Sequence, residues 1–141
     1  DAIHRSKIIE RPKIFQLVPS DQPASESQLI DVETEIGAML PDDFREFLKY
    51  YGGGSFGLIN VFSADPESYY YLPDQQASSA KIIPERCIAI SDDYCGGWYI
   101  LRFFDDELSD LIWYWNLDDG LVRTEFSNIF EYVARYAYDP A

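Results

Sequence analysis

Apolar positions recur at the helical spacing in one segment whose two ends are both marked. Between residues 41 and 51 the apolar side chains form one stripe with a 3.6-residue period: Phe44, Phe47, Leu48 and Tyr51. Pro41 suits the first helical position, and acidic residues follow it, where the helix dipole favours negative charge. The glycines at 52–54 permit the left-handed turn that ends a helix. The pattern therefore predicts a helix from Pro41 to about Tyr51 with one face on the core.

Two further helices are predicted from signals at their N-termini. Ser25 and Gln28 resemble a capping box, and the apolar face that follows consists of Leu29, Val32 and Ile36. A glycine then ends this helix, which we expect to pack at an angle against the next one. Asn128 and Glu131 form a similar N-terminal pair and predict a helix near the C-terminus.

Between the helices the period changes to that of strands. The clearest strands are aromatic and β-branched throughout and lie at Trp98–Phe104 and Leu111–Asn116. Shorter strands are predicted at Phe56–Ser63, Tyr69–Leu72, Cys87–Ile90 and Leu121–Glu125, with a loop at Pro73–Lys81. This order predicts an α+β fold in a single domain, with an N-terminal helix pair, a central and mainly antiparallel sheet of about five or six strands, and a C-terminal helix.

The chain is expected to contain one domain and a short extension. A length of 141 residues is enough to bury a core without disulfides or metals. We assign residues 25–141 to the domain and residues 1–24 to an N-terminal extension. Within that extension, Ile14–Val18 could form a strand packed on the core.

The net charge of −14 changes the picture most among the bulk properties. Nucleic acid and anionic lipid would both be repelled, and no apolar run approaches the ~20 residues that span a bilayer. We therefore expect neither nucleic acid nor membrane as a partner. Such a charge could serve solubility alone, or it could accelerate binding of a basic macromolecule. Cys87 and Cys95 lie in no metal or redox spacing, so we expect reduced thiols and a cytoplasmic protein.

Candidate catalytic groups are few. His4 is the single histidine, so a triad built on Ser/His or Cys/His is not available. No phosphate-binding glycine loop and no EF-hand spacing occurs. A pair of catalytic carboxylates would need a defined geometry in a cleft, which sequence cannot show. We expect no enzyme, no cofactor and no metal site, although runs of Asp can bind Ca²⁺ and a small-ligand or metal-binding domain stays open as an alternative.

Eight carboxylates lie between residues 92 and 119, against one base, Arg102. They are Asp92, Asp93, Asp105, Asp106, Glu107, Asp110, Asp118 and Asp119. All fall in predicted turns or at strand ends, so several could share an edge of the sheet. Turns favour Asp for local reasons, and solvated loop tips are therefore one interpretation. The other interpretation is a binding surface, because concentrated like charge costs stability and is usually retained for binding a partner.

Aromatic residues alternate on both faces of the two clearest strands. A sheet covered on one face would leave several of these rings exposed, whereas a sheet covered on both faces would hide them. Exposed Trp and Tyr beside acids are typical of protein-binding surfaces. The candidate partner-binding residues are therefore Asp92, Asp93, Tyr94, Trp98, Asp105, Asp106, Glu107, Asp110, Asp118 and Asp119.

Four motifs in a fixed order resemble the SUKH superfamily, which includes Smi/Knr-type cell-wall synthesis regulators of yeast and many bacterial immunity proteins. The motifs follow the first predicted helix and read LPDDFREFLKYYGGG, SDDYCGGWYILRF, IWYWNLDDG and FSNIFEYVARY. The resemblance runs from about Ser25 to Tyr138. Its one departure is a mild one, because Gly52-Gly53-Gly54 stands where the family usually has Asn-Gly-Gly.

The resemblance implies a binding protein without enzymatic activity. In bacteria such domains typically neutralise a toxin, often a nuclease, and nucleases that bind phosphate backbones tend to be basic. The leading hypothesis is a cytoplasmic immunity protein that binds a cognate basic toxin domain through its acidic turns and adjacent aromatics. The second hypothesis is a regulatory or scaffold module for protein interaction, of the Smi/Knr type.

Overall fold

The computed structural model describes residues 22–56 and 59–138. The predicted strand at Ile14–Val18, His4 and most of the N-terminal extension lie outside these residues. The helices are α1 (Glu26–Ile36), α2 (Asp42–Tyr51), α3 (Leu72–Ser79) and α4 (Ile129–Val133), which continues as a π-helix (Ala134–Tyr138). The strands are β1 (Gly54–Phe56), β2 (Ile59–Val61), β3 (Cys87–Asp92), β4 (Trp98–Phe104), β5 (Glu107–Leu108), β6 (Trp113–Asn116) and β7 (Gly120–Arg123).

Helix α1 begins with the predicted capping box. The Ser25 hydroxyl accepts the Gln28 N–H at 3.2 Å, and the Gln28 carboxamide oxygen accepts the Ser25 N–H at 3.0 Å. At the other end Gly37 takes a left-handed conformation with φ of 74°. The helix buries Leu29 and Val32. The predicted start, face and end of this helix are confirmed, because all of its signals are local.

Helix α2 also has the predicted apolar stripe, with Phe44, Phe47 and Leu48 buried. Pro41 is the N-cap rather than the first helical residue, so the helix begins one residue later than predicted. A side chain on this helix, Arg45, donates to Glu26 at 2.7 Å and to Glu33 at 3.2 Å. This ion-pair triad joins α1 and α2 into the predicted N-terminal pair.

The main sheet is antiparallel, with the strand order β3-β4-β6-β7 and the short β5 paired to β4. These five strands confirm the predicted central sheet. The predicted strand at Phe56–Ser63 is instead a hairpin of two short strands, β1 and β2. This small hairpin contacts the main sheet along the outer edge of β3.

Two side-chain amides close that outer edge of β3. Asn60 donates to the Asp92 carbonyl at 2.8 Å and accepts the Asp92 N–H at 3.0 Å. Gln76 on α3 makes the same two-bond pair with Ala89, at 3.0 and 3.1 Å. Between them the Phe62 N–H donates to the Ile90 carbonyl at 2.8 Å. The amides thus imitate the ladder that another strand would make.

Helix α3 was not predicted, and the loop assigned to Pro73–Lys81 is wrong. The helix buries only Leu72 and Ser79, so it carries no apolar stripe for a periodicity argument to detect. The strand predicted at Tyr69–Leu72 is also wrong, because this segment is a turn whose one sheet-like pairing is a bridge from Tyr71 to Ser63.

The C-terminal helix covers one face of the sheet. The ring of Tyr132 packs 4.5 Å from that of Tyr99, and its hydroxyl lies 2.8 Å from the Ser91 hydroxyl. The predicted N-cap is confirmed, since the Asn128 side chain accepts the Glu131 N–H at 3.0 Å. On the opposite face Phe104 is exposed, and the three tryptophans are half-buried. The sheet is therefore covered more completely on the face that holds Tyr99.

Candidate functional site

The predicted partner-binding residues fall into two groups at opposite ends of the sheet, because successive hairpin turns alternate between its ends. The group called here the Tyr94 end consists of Asp92, Asp93, Tyr94, Trp98, Asp118 and Asp119. The group called the Asp110 end consists of Asp105, Asp106, Glu107 and Asp110. Strand β4 separates them by about 20 Å, given roughly 3.3 Å per residue. The ten residues therefore do not form one continuous site.

At the Tyr94 end, the side chain of Asp93 organises the turn between β3 and β4. One carboxylate oxygen accepts the N–H groups of Cys95 and Gly97, at 2.7 and 2.8 Å. The other accepts the hydroxyl of Tyr114, which lies on β6. Burial alone would raise the pKa of Asp93, but these hydrogen bonds outweigh it and lower the pKa below its ordinary value. The carboxylate is thus ionised at neutral pH and ties two strands together.

Gly97 makes this arrangement possible by leaving space. A Cβ at this position would lie 2.2 Å from the Tyr114 hydroxyl oxygen and 2.6 Å from an Asp93 carboxylate oxygen. No side chain can occupy that volume, so the contact between Asp93 and Tyr114 requires glycine here.

The same turn holds Tyr94 outward in a conformation that a bulky residue rarely adopts. Its φ is +63°, and its N–H donates to the Asp92 carboxylate at 2.7 Å. The ring is 59% exposed, and its hydroxyl lies 2.8 Å from the hydroxyl of Tyr70. Tyr69 packs its ring edge-on against Tyr70 at 5.2 Å and is 82% exposed. Three tyrosines from two turns thus lie together on the surface.

The rest of the Tyr94 end carries further apolar groups. Trp98 and Trp115 face each other across β4 and β6, with ring centroids 6.1 Å apart. The following hairpin exposes Leu117 and Asp118, and the Asp119 N–H donates to the Asn116 side chain at 2.7 Å. Acid and exposed apolar surface are therefore adjacent here, as the sequence predicts for this part of the chain.

At the Asp110 end, the predicted site residue Asp110 caps a helix. Its two carboxylate oxygens accept the N–H groups of Asp43 and Phe44, at 3.2 and 3.1 Å. These are backbone donors of the first turn of α2, which the N-cap Pro41 cannot satisfy. Burial raises the pKa of Asp110, against the lowering effect of these hydrogen bonds. This carboxylate already has an intramolecular role, and its binding to a partner stays a prediction.

The other acids of the Asp110 end lie among arginines. Arg86 approaches Asp106 to 3.8 Å and donates to the main-chain carbonyl of Asp105. Arg102 stacks on Trp113 at 4.6 Å and on Phe104 at 5.4 Å. A groove of about 410 Å³ runs beside this end, between the start of α2 and β5, and the exposed Met39 lies on its wall.

The two ends differ in charge balance as a result. Each has four of the eight acids. The three arginines at the sheet strands, Arg86, Arg102 and Arg123, all lie toward the Asp110 end. The Tyr94 end lies within residues 91–101 and 114–122, and these two ranges contain no Lys or Arg. The uncompensated negative charge of the sheet is therefore concentrated at the Tyr94 end.

Sequence reasoning missed four residues that adjoin the Tyr94 end: Asn60, Tyr69, Tyr70 and Tyr114. Tyr69 and Tyr70 were assigned to a strand, in which one of them would point to the core.

Within residues 22–56 and 59–138, no group of three or more His, Cys, Asp or Glu side chains is arranged to hold a metal ion. No helix in the same residues is long and apolar enough to cross a membrane.

Comparisons with known proteins address the fold and the family. A crystal structure of a protein from Pseudomonas syringae pv. tomato is similar to this chain, with a TM-score of 0.71 and 22% sequence identity over 96% of both chains. At this identity the likeness shows the fold alone. The comparison with curated proteins gives no significant match. The family model described as SMI1 / KNR4 family (SUKH-1) matches residues 23–135. Since that match spans most of the sequence, the chain belongs to the SMI1 / KNR4 family (SUKH-1).

Proposed function

We propose that this chain is a cytoplasmic immunity protein without enzymatic activity, which binds a cognate toxin domain and blocks it. The toxin is basic and of the nuclease type. The observation that carries the proposal is the Tyr94 end, whose four acids lie within residues 91–101 and 114–122, which contain no Lys or Arg, beside the exposed rings of Tyr69 and Tyr94. A basic protein surface complements such a site in charge, and aromatic rings supply the buried contact area.

The negative field also favours this class of partner kinetically. A net charge of −14 accelerates encounter with a basic protein, and an inhibitor of a nuclease gains from fast capture. Nucleic acid, the substrate of such a toxin, is repelled by the same field. The chain would therefore compete with nucleic acid for the basic surface of the toxin rather than bind nucleic acid itself.

Co-expression with the toxin domain encoded next to this chain tests the proposal. We expect a stable complex on co-purification, loss of toxin activity at equimolar protein, and affinity that falls as the salt concentration rises. A toxin that keeps full activity in the presence of excess protein contradicts the proposal.

Charge-reversed variants locate the surface on the purified pair. Asp118→Lys and Asp106→Lys are a matched pair, because both replace an exposed acid of a turn, one at each end of the sheet. We expect Asp118→Lys to weaken binding several-fold and Asp106→Lys to have a smaller effect, since Arg86 already offsets Asp106. Equal effects of the two variants would instead spread the docking surface over both ends.

A regulatory or scaffold role is the second candidate, and the family name itself favours it, because the SMI1 / KNR4 family is named for its Smi/Knr-type members. Such a module would bind endogenous proteins of its own cell. Gene context separates the two functions: a toxin gene beside this one supports immunity, and an isolated locus whose deletion changes growth without any toxin supports regulation.

A further inference from the structure

We propose that Tyr69, Tyr70 and Tyr94, called here the tyrosine patch, recognise arginine side chains of a basic protein partner. The inference rests on the proposed function in so far as the partner is a basic protein, and it names the groups through which that partner is read. Tyr69 and Tyr70 lie outside the residues that the sequence motifs point to. The patch is formed where the 65–71 turn meets the turn between β3 and β4.

Tyr69 and Tyr94 are exposed and Tyr70 is half-buried, but both turns that carry the patch are fixed. The 65–71 turn is closed by the Ser68 N–H, which donates to the Asp65 carbonyl at 3.0 Å, and by Gln75, which donates to the Tyr69 carbonyl at 2.7 Å. The other turn is fixed by the carboxylates of Asp92 and Asp93. The rings are therefore presented on rigid supports, which lowers the entropy lost when a partner binds.

The ring orientation suits a flat cation. The rings of Tyr69 and Tyr70 meet edge-on, so one of them directs its edge, and not its face, toward the other. The face of a phenol ring is its electronegative side, which attracts a cation. The molecule already uses this chemistry internally, where Arg86 lies over Phe103 at 5.3 Å and Arg102 over Trp113 at 4.6 Å. A guanidinium supplied by a partner would repeat these contacts at the patch.

The charge around the patch favours a cation as well. Residues 61–80 and 87–101 contain five acids and no Lys or Arg: Asp65, Glu67, Asp74, Asp92 and Asp93. A guanidinium stacked on a tyrosine can also donate to a neighbouring carboxylate, because its donors lie in the plane of the group. Lysine is more strongly hydrated and has no plane to stack, so arginine is the better fit.

Titration of the isotopically labelled full chain with capped peptides tests the inference by NMR. The probes are Gly-Arg-Gly-Arg-Gly, the same peptide with Lys at the Arg positions, and the same peptide with Glu. We expect saturable shifts at Tyr69, Tyr70 and Tyr94, and a several-fold lower Kd for the Arg peptide than for the Lys peptide. The Glu peptide should produce none of these shifts.

Variants with a matched control decide whether the rings are responsible. Tyr69→Ala and Tyr94→Ala should each raise the Kd of the Arg peptide about two- to fivefold, as expected for an exposed cation–π contact. Tyr50→Ala should leave it unchanged, because Tyr50 is as exposed as Tyr94 but belongs to helix α2 and to neither turn of the patch. Tyr94→Phe keeps the ring and should retain most of the affinity.

Four results would overturn the inference. If the Arg peptide caused chemical-shift changes in the 105–107 and 117–119 turns as large as those at the tyrosine patch, the peptide would be attracted by negative charge alone. Equal Kd values for the Arg and Lys peptides would exclude stacking. Shifts at the patch that depend on protein concentration without peptide would point to a second copy of this chain as the occupant. If the toxin is bound and blocked while Tyr69→Ala and Tyr94→Ala bind it normally, the proposed function stands and this surface is wrong.

Discussion

The two ends of the sheet contain the same number of acids from the motif-bearing region and use them differently. At the Asp110 end a carboxylate is withdrawn into a helix cap, and three arginines lie nearby. At the Tyr94 end the carboxylates fix the turn that holds Tyr94 outward, and residues 91–101 and 114–122 contain no arginine. The comparison teaches that a count of acids does not locate free negative charge. What matters is which of them lie beside a cation of the same molecule.

The largest expected effect comes from filling the space at Gly97. Gly97→Ala places a methyl group 2.2 Å from the Tyr114 hydroxyl oxygen and so separates it from Asp93. We expect the free energy of unfolding to fall by about 3 kcal/mol, combining overpacking with a lost charge-assisted hydrogen bond. Urea denaturation measures it. In the control Gly96→Ala the added methyl meets open space but φ is +89°, so backbone strain alone should cost about 1 kcal/mol. Equal losses would show that the contact with Tyr114 contributes little.

Replacing the carboxylate itself should have the next largest effect. Asp93→Asn keeps the shape but removes the charge that accepts three hydrogen bonds, and we expect a loss of about 2 kcal/mol at neutral pH. The folded-state pKa is lowered, so this stabilisation is present above the ordinary value of about 3.9 and is lost as the pH falls through the folded-state value. The gap between wild type and variant in urea should therefore narrow in acid. If the difference in stability between wild type and Asp93→Asn did not change with pH, the charge of Asp93 would contribute nothing to stability.

At the Asp110 end, removal of the Asp110 side chain that caps α2 should lower the free energy of unfolding by less. The pH dependence of this loss should be opposite to that for Asp93. Asp110→Ala leaves two backbone donors of α2 without their acceptor and should cost about 1 kcal/mol. Asp110→Asn should cost less, because burial already disfavours the charge and raises the pKa. Since the folded-state pKa is raised, the wild type should gain stability relative to Asp110→Asn as the pH falls. If the difference in stability between wild type and Asp110→Asn instead became smaller in acid, as expected for Asp93, the side chain of Asp110 would not be in an environment that raises its pKa.

The smallest effect is expected for acids without buried partners. Asp106→Ala breaks an ion pair of 3.8 Å between exposed groups, which salt screens and side-chain entropy opposes. Asp118→Ala removes an exposed acid at the other end. We expect no measurable change in stability for either variant. A clear loss in one of them would reveal a structural role and weaken its use as a binding probe.

The parts of the fold predicted from sequence are those with local causes. The capping box of Ser25, the N-cap of Asn128 and the apolar stripe of α2 each lie within a few residues. Helix α3 was missed because its sequence has no apolar stripe and its stability comes from contacts such as Gln76 with β3. Local patterns cannot reveal an element whose reason lies across the chain.

The candidate site shows the same division. The turns rich in Asp were predicted, but their separation into two ends depends on the register and order of strands. The capping role of Asp110 depends on Phe44 and Asp43, which precede it in the chain by 66 and 67 positions. Tyr69 and Tyr70 meet Tyr94 because two turns converge, and no spacing rule connects them. The predicted binding residues themselves stay a prediction until a partner is tested.

The amides of Asn60 and Gln76 on the border of β3 also bear on how this protein behaves when many copies are crowded together. An unpaired strand is a growth point onto which a neighbouring molecule can add its own backbone. Here the growth point is blocked by groups that cannot be extended, and the opposite border, β7, is only four residues long. Replacing either amide by an apolar group would therefore threaten shelf life and expression yield before it changed the shape of the folded chain.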